Sequence, residues 1–207
     1  MLLWAWLSLA DQPEASPHLT VPDCPPSGRA FGDMETLITA DDLQARVRAL
    51  AAEIRRDHPD GVHLIGVLKG SFIFLADLAR CLAEETDGKG VTMDFIAASS
   101  YGSSSNSSGQ VQLLKDLGAP IQGRDVVIVE DIIDTGLTLT YLHQVLSARK
   151  PRHLRTACLL SKPSRRKVTV DVEYVGFTIE DRFVVGYGLD YAEKYRNLGY
   201  IAVLNSA

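Results

Sequence analysis

The fold of this chain is decided by one segment, Val126-Val127-Ile128-Val129-Glu130-Asp131-Ile132-Ile133-Asp134-Thr135-Gly136-Leu137-Thr138-Leu139. Its opening run of β-branched residues predicts a strand that is buried on both faces, as in a parallel sheet. An acidic pair and a small polar loop follow, and a helix is predicted over residues 138–148. Open α/β sheets bind ligands beyond the carboxyl ends of their strands, so this loop is the first candidate for a site.

The loop offers groups that bind phosphate. Backbone N–H groups and hydroxyls come together at a helix N-terminus, where the helix dipole favours anions, and they belong to Asp134, Thr135, Gly136 and Thr138. Glu130 and Asp131 repel phosphate, but they suit ribose hydroxyls or a hard cation such as Mg2+. The segment therefore predicts a sugar phosphate ligand. The alternative is that Asp134 merely caps the helix and that the acid pair is a solvated strand end.

Strands and helices alternate through the rest of the chain. A helix begins near Thr39, with apolar residues at helical spacing, and a second covers residues 71–83. Further strands are predicted over residues 63–68, 91–97, 125–129, 154–160, 174–179 and 184–187. This order predicts an α/β fold with a parallel sheet that has helices on both faces. Residues 34–60 and 180–207 are expected to form a small cap over the carboxyl edge of the sheet.

The first 33 residues differ from the rest. They hold an apolar start that is too short for a membrane span, followed by five prolines without periodic pattern. We predict that residues 1–33 are a flexible extension and that residues 34–207 are the folded domain.

Composition excludes several classes of protein. A net charge of −5 over 207 residues argues against nucleic-acid binding, which usually requires a basic surplus. Cys24, Cys81 and Cys158 are widely spaced and form neither a zinc motif nor a disulfide framework. Cys81 and Cys158 have apolar neighbours, which predicts burial. We expect a cytoplasmic protein with no membrane partner.

A second anion site is predicted at Lys69-Gly70, which also ends a strand and opens a helix. Alone, this tripeptide Leu68-Lys69-Gly70 would more often be a turn. Two anion sites at the ends of parallel strands suit a substrate with phosphates at both ends.

Several separated motifs occur together in one order, namely Gly66-Val67-Leu68-Lys69-Gly70, Asp94-Phe95, Ser100-Tyr101-Gly102, Glu130 to Thr138, Lys162-Pro163, Val175-Gly176-Phe177 and Phe183 to Tyr191. With them the chain resembles the type I phosphoribosyltransferases, and particularly the bacterial hypoxanthine-guanine phosphoribosyltransferase family, over roughly residues 35–205. The departures are the N-terminal extension and the many serines after Tyr101.

The resemblance implies a role for each site residue. Pyrophosphate binding falls to Lys69, Gly70 and Arg196, with a cis peptide bond before Lys69. Ribose-5-phosphate binding falls to Glu130, Asp131, Asp134, Thr135, Gly136 and Thr138. Purine binding falls to Lys162, Phe183, Val184 and Asp190. Asp134 is the catalytic proton acceptor near purine N7, and Mg2+ is held by Glu130, Asp131 and Asp190. Ser100 and Tyr101 belong to a lid over the site.

The implied reaction is transfer of the 5-phosphoribosyl group of 5-phosphoribosyl-1-pyrophosphate (PRPP) to hypoxanthine or guanine, which gives IMP or GMP and pyrophosphate. The resemblance also implies a homodimer or homotetramer. Two alternatives stay open: an enzyme for another base such as xanthine, and a regulatory protein that binds PRPP with the same fold. Lys162 favours a 6-oxopurine because an ammonium donates to an oxygen. The negative net charge disfavours a regulator that acts on nucleic acid.

Overall fold

The computed structural model describes residues 34–84, 90–100 and 111–205, and strands alternate with helices along much of this length. In chain order the elements are β1 (Met34–Ile38), α1 (Ala40–Asp57), β2 (Val62–Leu68), α2 (Phe72–Glu84), β3 (Val91–Ser100), β4 (Val111–Lys115), β5 (Asp125–Ile133), α3 (Leu137–Ser147), β6 (His153–Ser161), a 3-10 turn (Pro163–Arg165), β7 (Tyr174–Thr178), β8 (Val184–Val185) and β9 (Ile201–Leu204).

Six strands form the central sheet in the order β4-β3-β2-β5-β6-β7. The pairs β2–β3, β2–β5, β5–β6 and β6–β7 are parallel, which confirms the predicted parallel sheet. The exception is β4, which was not predicted and pairs with β3 in the antiparallel direction. Three of its five residues are exposed, so its sequence lacks the apolar run by which the central strands were found.

Strand β5 lies in the middle of the sheet and contributes side chains to both faces. Val127 and Val129 belong to one hydrophobic cluster together with residues of α1 and α2. Val126 and Ile128 belong to the other cluster, with Leu142 and other residues of α3. Successive side chains of a strand point to opposite faces, so a continuous apolar run supplies two cores at once. The predicted helices on both faces are confirmed.

Helix α1 begins as the sequence predicts. Thr39 is its N-cap, and the backbone N–H of Asp42 donates to the Thr39 hydroxyl at 3.2 Å. The hydroxyl in turn donates to the Asp42 carboxylate at 2.6 Å. The predicted apolar positions are the buried ones, namely Leu43, Val47, Leu50, Ala51 and Ile54.

The chain ends of the domain form a second, three-stranded antiparallel sheet in the order β1-β9-β8. This sheet is the predicted cap, but its boundaries differ from those expected. Helix α1, which was assigned to the cap, packs on α2 and β7 of the main layer. The reason is that its apolar stripe is wide enough to join the central core.

Other element boundaries were also wrong. Strand β5 continues to Ile133, so Glu130 and Asp131 lie within the strand and not after it. Strand β5 pairs with β6 as far as Ile133 and Ser161, so the two acidic residues belong to the paired part of the strand. Strand β3 continues through Ser100, three residues beyond the predicted end at residue 97.

The predicted division of the chain at Met34 coincides with the start of β1, and residues 1–33 lie outside the described residues. Among the helices that are described, none is long and apolar enough to cross a membrane. Cys81 and Cys158 are buried, as predicted, whereas Cys24 lies outside the described residues.

A buried carboxylate holds the amino ends of β5 and β6 together. Asp125 is 8% exposed, and its Oδ1 accepts from Arg152 Nε at 2.8 Å and lies 2.8 Å from His153 Nδ1. Arg152 Nη2 donates to its other oxygen, and His58 Nδ1 lies 3.8 Å from that oxygen. The hydrogen bonds from Arg152 hold the pKa of Asp125 well below its usual range, despite burial. Asp125 is therefore ionised throughout the neutral range and stabilises the fold.

Replacing this carboxylate should destabilise the protein in a pH-dependent way. We expect Asp125→Asn to lower the free energy of unfolding at pH 7 by about 2–4 kcal/mol, because it removes a nearly buried charge with several donors. A carboxyl whose folded pKa is depressed stabilises above its unfolded pKa of about 3.9, and this contribution is lost as the pH falls. Urea denaturation at pH 7 and in acid measures the effect.

The control is Asp41→Asn, which neutralises an exposed carboxyl in the first turn of α1. We expect its effect to stay within about 0.5 kcal/mol. An equal loss of unfolding free energy in both variants would contradict the stabilising role of the Asp125 charge. A loss in Asp125→Asn that does not shrink in acid would contradict it as well.

Candidate active site

The carboxyl ends of β2 and β5 border a cavity of about 330 Å³ together with the segment that follows β8. Its lining includes ten of the predicted site residues: Lys69, Gly70, Glu130, Asp131, Asp134, Thr135, Gly136, Thr138, Asp190 and Arg196. They come from three separate parts of the chain, namely the loop after β2, the end of β5 with the loop that follows it, and the segment after β8. The structure thus brings the two predicted anion sites and the acid pair together in one place.

The acid pair is the most strongly perturbed part of the cavity. Glu130 is 7% exposed, and burial and the neighbouring Asp131 raise the pKa of its carboxyl well above the usual range. Burial also raises the pKa of Asp131 to about 6, and Asp190 adds to the rise, although the Ile132 N–H and the Arg196 guanidinium oppose it. Two acids in this position favour a bound cation or hydroxyl donors, because either offsets the cost of their charge.

These acids do not make a complete metal site on their own. Among the residues that the structure describes, no group of three His, Cys, Asp or Glu side chains is placed to hold a metal ion. Mg2+ is commonly held by one or two carboxylates together with substrate phosphates and waters. The pair fits that mode, since both residues line the cavity and carboxylate oxygens are hard donors.

Close backbone contacts shape the loop at Lys69. The Leu68–Lys69 peptide bond is cis, as the resemblance implies. A Cβ on Gly70 would overlap the carboxylate of Asp131, so the glycine allows this loop to lie directly against the acid pair. A Cβ on Gly188 would overlap the Gly70 carbonyl oxygen, and Gly188 has a φ of 103°. The two glycines join the chain after β8 to the loop after β2.

The loop that is predicted to bind phosphate, between β5 and α3, ends in a glycine that caps the helix. Gly136 is the N-cap of α3 with a φ of 85°, and it makes no side-chain capping bond. The alternative reading of Asp134 as the helix cap is therefore wrong. The Leu137 N–H donates to the Thr135 hydroxyl at 3.4 Å, which is a long bond. Thr138 lies in the first turn of α3, so its hydroxyl is near the positive end of the helix dipole.

Two arginines hold Asp134 in place. Arg165 Nε donates to its Oδ1 at 3.1 Å, and both side chains are about half exposed. Arg166 donates to the Asp134 carbonyl at 2.7 Å and to the Ser161 hydroxyl at 3.0 Å. The loop is thereby fixed to the end of β6.

A second cavity, of about 500 Å³, adjoins the first. The two share Asp131, Ile132, Asp134 and Asp190. The remaining lining contains the predicted purine-binding residues Lys162, Phe183 and Val184, together with Arg165, Asp181 and Leu189. All four predicted purine residues, including Asp190, therefore face one space.

The second cavity combines a flat apolar surface with a positioned cation. Phe183 is 46% exposed, and its ring meets that of Tyr191 edge-on, with centroids 5.6 Å apart. Lys162 is 8% exposed, and its Nζ lies 3.6 Å from Asp181 Oδ1. An aromatic face beside a buried ammonium suits a planar ring that carries an oxygen.

Sequence reasoning missed several residues that the site contains. Arg165 stands in a run of basic residues, but nothing in the spacing of that run indicates that Arg165 pairs with Asp134. Asp181 and Glu193 stand next to recognised motifs without belonging to them. For the predicted lid, Tyr101 lies outside the described residues, and Ser100 is described only as the last residue of β3.

This fold and this paired site define a phosphoribosyltransferase. The family model for the phosphoribosyl transferase domain matches residues 38–192. The hypoxanthine-guanine phosphoribosyltransferase of Mycobacterium avium is 50% identical over 182 residues, which are 84% of this chain and 87% of that protein.

Two solved structures agree with this result. The hypoxanthine-guanine phosphoribosyltransferase of Bacillus anthracis is 50% identical, with a TM-score of 0.76 over 82% of this chain and 97% of that one. The hypoxanthine phosphoribosyltransferase of Trypanosoma cruzi, in complex with the product IMP, is 42% identical, with a TM-score of 0.78 over 86% and 97% of the two chains. The chain belongs to the hypoxanthine-guanine phosphoribosyltransferase family.

The electrostatic cost of burying the acid pair can be measured as a change in the free energy of unfolding. A carboxyl with a raised folded pKa destabilises the fold above its unfolded pKa, because the unfolded chain ionises more easily. Asp131 has a pKa of about 6 in the fold and one of about 3.9 when unfolded. Asp131→Asn should therefore raise the free energy of unfolding at pH 7.5 by about 1–2 kcal/mol, which allows for partial solvation.

This gain should shrink as the pH falls through about 6 and should be nearly lost at pH 3, where the carboxyl is mostly protonated in both states. Urea denaturation at the two pH values tests this expectation, with Asp41→Asn as the surface control. A less stable Asp131→Asn protein at pH 7.5, or a gain of equal size at both pH values, would show that the acid pair is not under electrostatic strain.

Proposed function

We propose that the protein is a purine salvage enzyme that transfers the 5-phosphoribosyl group of PRPP to hypoxanthine or guanine, which gives IMP or GMP and pyrophosphate. The observation that carries this proposal is the pair of adjoining cavities. One is lined by phosphate-binding groups and acids, and the other by an aromatic ring and a buried lysine. Their shared residues, which include Asp131 and Asp134, mark the place where sugar and base would meet.

Base recognition is assigned to the second cavity. Lys162 Nζ would donate to the 6-oxo group, and this supports hypoxanthine and guanine over adenine, whose 6-amino group also donates. The exposed face of Phe183 would stack on the purine ring. The Val184 backbone would read the edge of the base that carries N1 and the 2-substituent, and Asp190 would make a further contact.

PRPP is assigned to the first cavity. Its 5-phosphate would bind the N–H groups and hydroxyls of the loop before α3, at Thr135, Gly136 and Thr138. The ribose hydroxyls would donate to Glu130 and Asp131. The pyrophosphate would lie against Lys69, Gly70 and Arg196, and the positive charges of Lys69 and Arg196 would neutralise part of the negative charge of the leaving group.

The reaction breaks the bond from ribose C1 to the pyrophosphate oxygen and forms a bond from C1 to a purine nitrogen. The electron pair of the broken bond leaves with pyrophosphate, and positive charge develops on the ribose. Asp134 would accept the proton that the base loses near N7. The carboxylate lines both cavities, so it can serve the base without leaving the phosphate loop.

We propose Mg2+ as the cofactor, held by Glu130 and Asp131 and approached by Asp190. When bound, the ion neutralises phosphate charge. The raised pKa values of the acid pair support this assignment, because a cation would favour their ionised forms.

We further propose a cytoplasmic homodimer or homotetramer. The wide spacing of the cysteines supports a reducing compartment. The exposed apolar side chains of Phe72, Met93 and Leu114 line neither cavity, so they are available for contact with a second copy of the chain. Light scattering after size exclusion would give the assembly directly.

The activity is tested by measuring nucleotide formation from PRPP with hypoxanthine, guanine, xanthine and adenine in parallel. We expect IMP and GMP to form in the presence of MgCl2, with far slower turnover of adenine. Exhaustive chelation with EDTA should abolish turnover, and added Mg2+ should restore it. Turnover of none of the four bases, with PRPP binding retained, would favour the regulatory alternative.

Asp134→Asn should lower kcat by about 10²–10⁴-fold, because a positioned general base is removed. The KM for PRPP should stay within a few-fold, since the backbone of the phosphate loop is unchanged. Little stability should be lost, because Asp134 is not the helix cap and its pair with Arg165 is about half exposed. Steady-state kinetics with both bases, beside a thermal melt, measure these effects.

The matched control is Asp116→Asn, which also removes a carboxylate from an exposed ion pair, here with Arg149 at 2.7 Å. Asp116 does not line either cavity. Its kcat should equal that of the unmodified protein. A near-normal kcat in Asp134→Asn would remove this residue from the mechanism.

A further inference from the structure

The two cations assigned to pyrophosphate share a carboxylate of the protein itself. Lys69 Nζ lies 3.1 Å from each of the two oxygens of Glu193. Arg196 Nη2 lies 3.5 Å from Glu193 Oε2, and it also lies 2.8 Å from Asp190 Oδ1. Glu193 thus bridges a lysine on the loop after β2 and an arginine on the segment after β8.

The main chain holds Glu193 in this position. Its backbone N–H donates to Asp190 Oδ2 at 2.8 Å, and Tyr191 and Lys194 exchange two backbone hydrogen bonds across the turn, at 3.2 and 3.0 Å. Ala192 and Glu193 have φ values of 50° and 63°, which residues with a Cβ seldom adopt. The turn therefore fixes the backbone position from which the Glu193 side chain extends, and it directs that side chain towards Lys69 and Arg196.

The contact itself is open to water. The side chains of Lys69 and Glu193 are 67% and 65% exposed, whereas Arg196 and Asp190 are mostly buried at 20% and 28%. Ion pairs between exposed side chains are weak and exchange readily. The hydrogen bond from Lys69 lowers the pKa of Glu193, so the carboxylate is charged at neutral pH. Glu193 is therefore an anion that a stronger anion can displace.

We infer that Glu193 sets the affinity of the pyrophosphate site by competing with the diphosphate group for Lys69 and Arg196. The inference rests on the proposed function, because it takes these two residues as the pyrophosphate cations. A polyanion carries more charge than one carboxylate, so it displaces Glu193 on binding. When the product leaves, the carboxylate returns to the cations and offsets the loss of their partner. Glu193 thereby weakens pyrophosphate binding and hastens product release, a step that limits the turnover of many enzymes.

The test is the binding of pyrophosphate to the full chain, measured by isothermal titration calorimetry with MgCl2 present. Glu193→Gln keeps the size and one acceptor oxygen but removes the charge. We expect it to bind pyrophosphate about three- to ten-fold more tightly than the unmodified protein, as loss of two exposed ion pairs allows. Glu193→Asp keeps the charge on a shorter side chain and should lie between the two.

Kinetics give a second readout. In Glu193→Gln the KM for PRPP should fall, kcat should not rise, and inhibition by added pyrophosphate should strengthen by the same factor as the binding. If Glu193 only stabilised the turn, the variant would instead lose affinity and melt at a lower temperature. The matched control is Glu53→Gln on α1, which makes the same change of charge and removes an ion pair with Arg46 of 2.9 Å. It should leave pyrophosphate affinity unchanged.

The outcomes separate the two proposals. Pyrophosphate affinity in Glu193→Gln that is equal to or weaker than in the unmodified protein would overturn the role of Glu193 and leave the enzyme activity standing. If the unmodified protein binds neither PRPP nor pyrophosphate, the proposed function fails, and this inference fails with it. An equal gain of pyrophosphate affinity in Glu53→Gln would show that the effect comes from net charge alone, and it would also overturn the role of Glu193.

Discussion

The structure depends on how a buried strand accommodates two acids at its end. Residues 126–129 of β5 are apolar and buried, and the strand continues through Glu130, which is still buried, and Asp131, which is partly buried. Removing carboxylates from water is costly, and the raised pKa values of both acids reflect that cost. The surroundings follow from this constraint. A glycine at position 70 lets another loop reach the acids, and Arg196 approaches from the terminal segment.

That terminal segment is part of the site although it lies outside the main sheet. Strand β9 pairs with both β1 and β8, and the segment between β8 and β9 supplies Asp190 and Arg196 to the first cavity. Gly188 seats this segment against the loop at Gly70 with a backbone-to-backbone contact that no side chain could enter. The site thus joins two layers of the fold, as ligand sites in α/β proteins commonly do at strand ends.

Much of the fold could be predicted from sequence because its signals are local. The apolar run of β5 and the spacing of α1 each express their burial within a few neighbouring residues. Strands β1, β4 and β9 were missed because short strands depend on partners that no local pattern reveals. The site motifs were found where a family resemblance covered them. Sequence reasoning did not find that Asp134 pairs with Arg165 or that Lys69 pairs with Glu193, because these side chains meet only in the folded protein.

The antiparallel pairing of β1 with β9 places Met34 directly opposite Leu204 in the register. The last strand of the described domain therefore lies beside its first strand, and the domain is closed almost like a ring. Its connectivity could be rearranged by circular permutation, with a short linker between these two positions and new ends opened in a surface turn. The same closure means that β1 holds β9 in place, and with β9 the carboxyl end of the segment that carries Arg196.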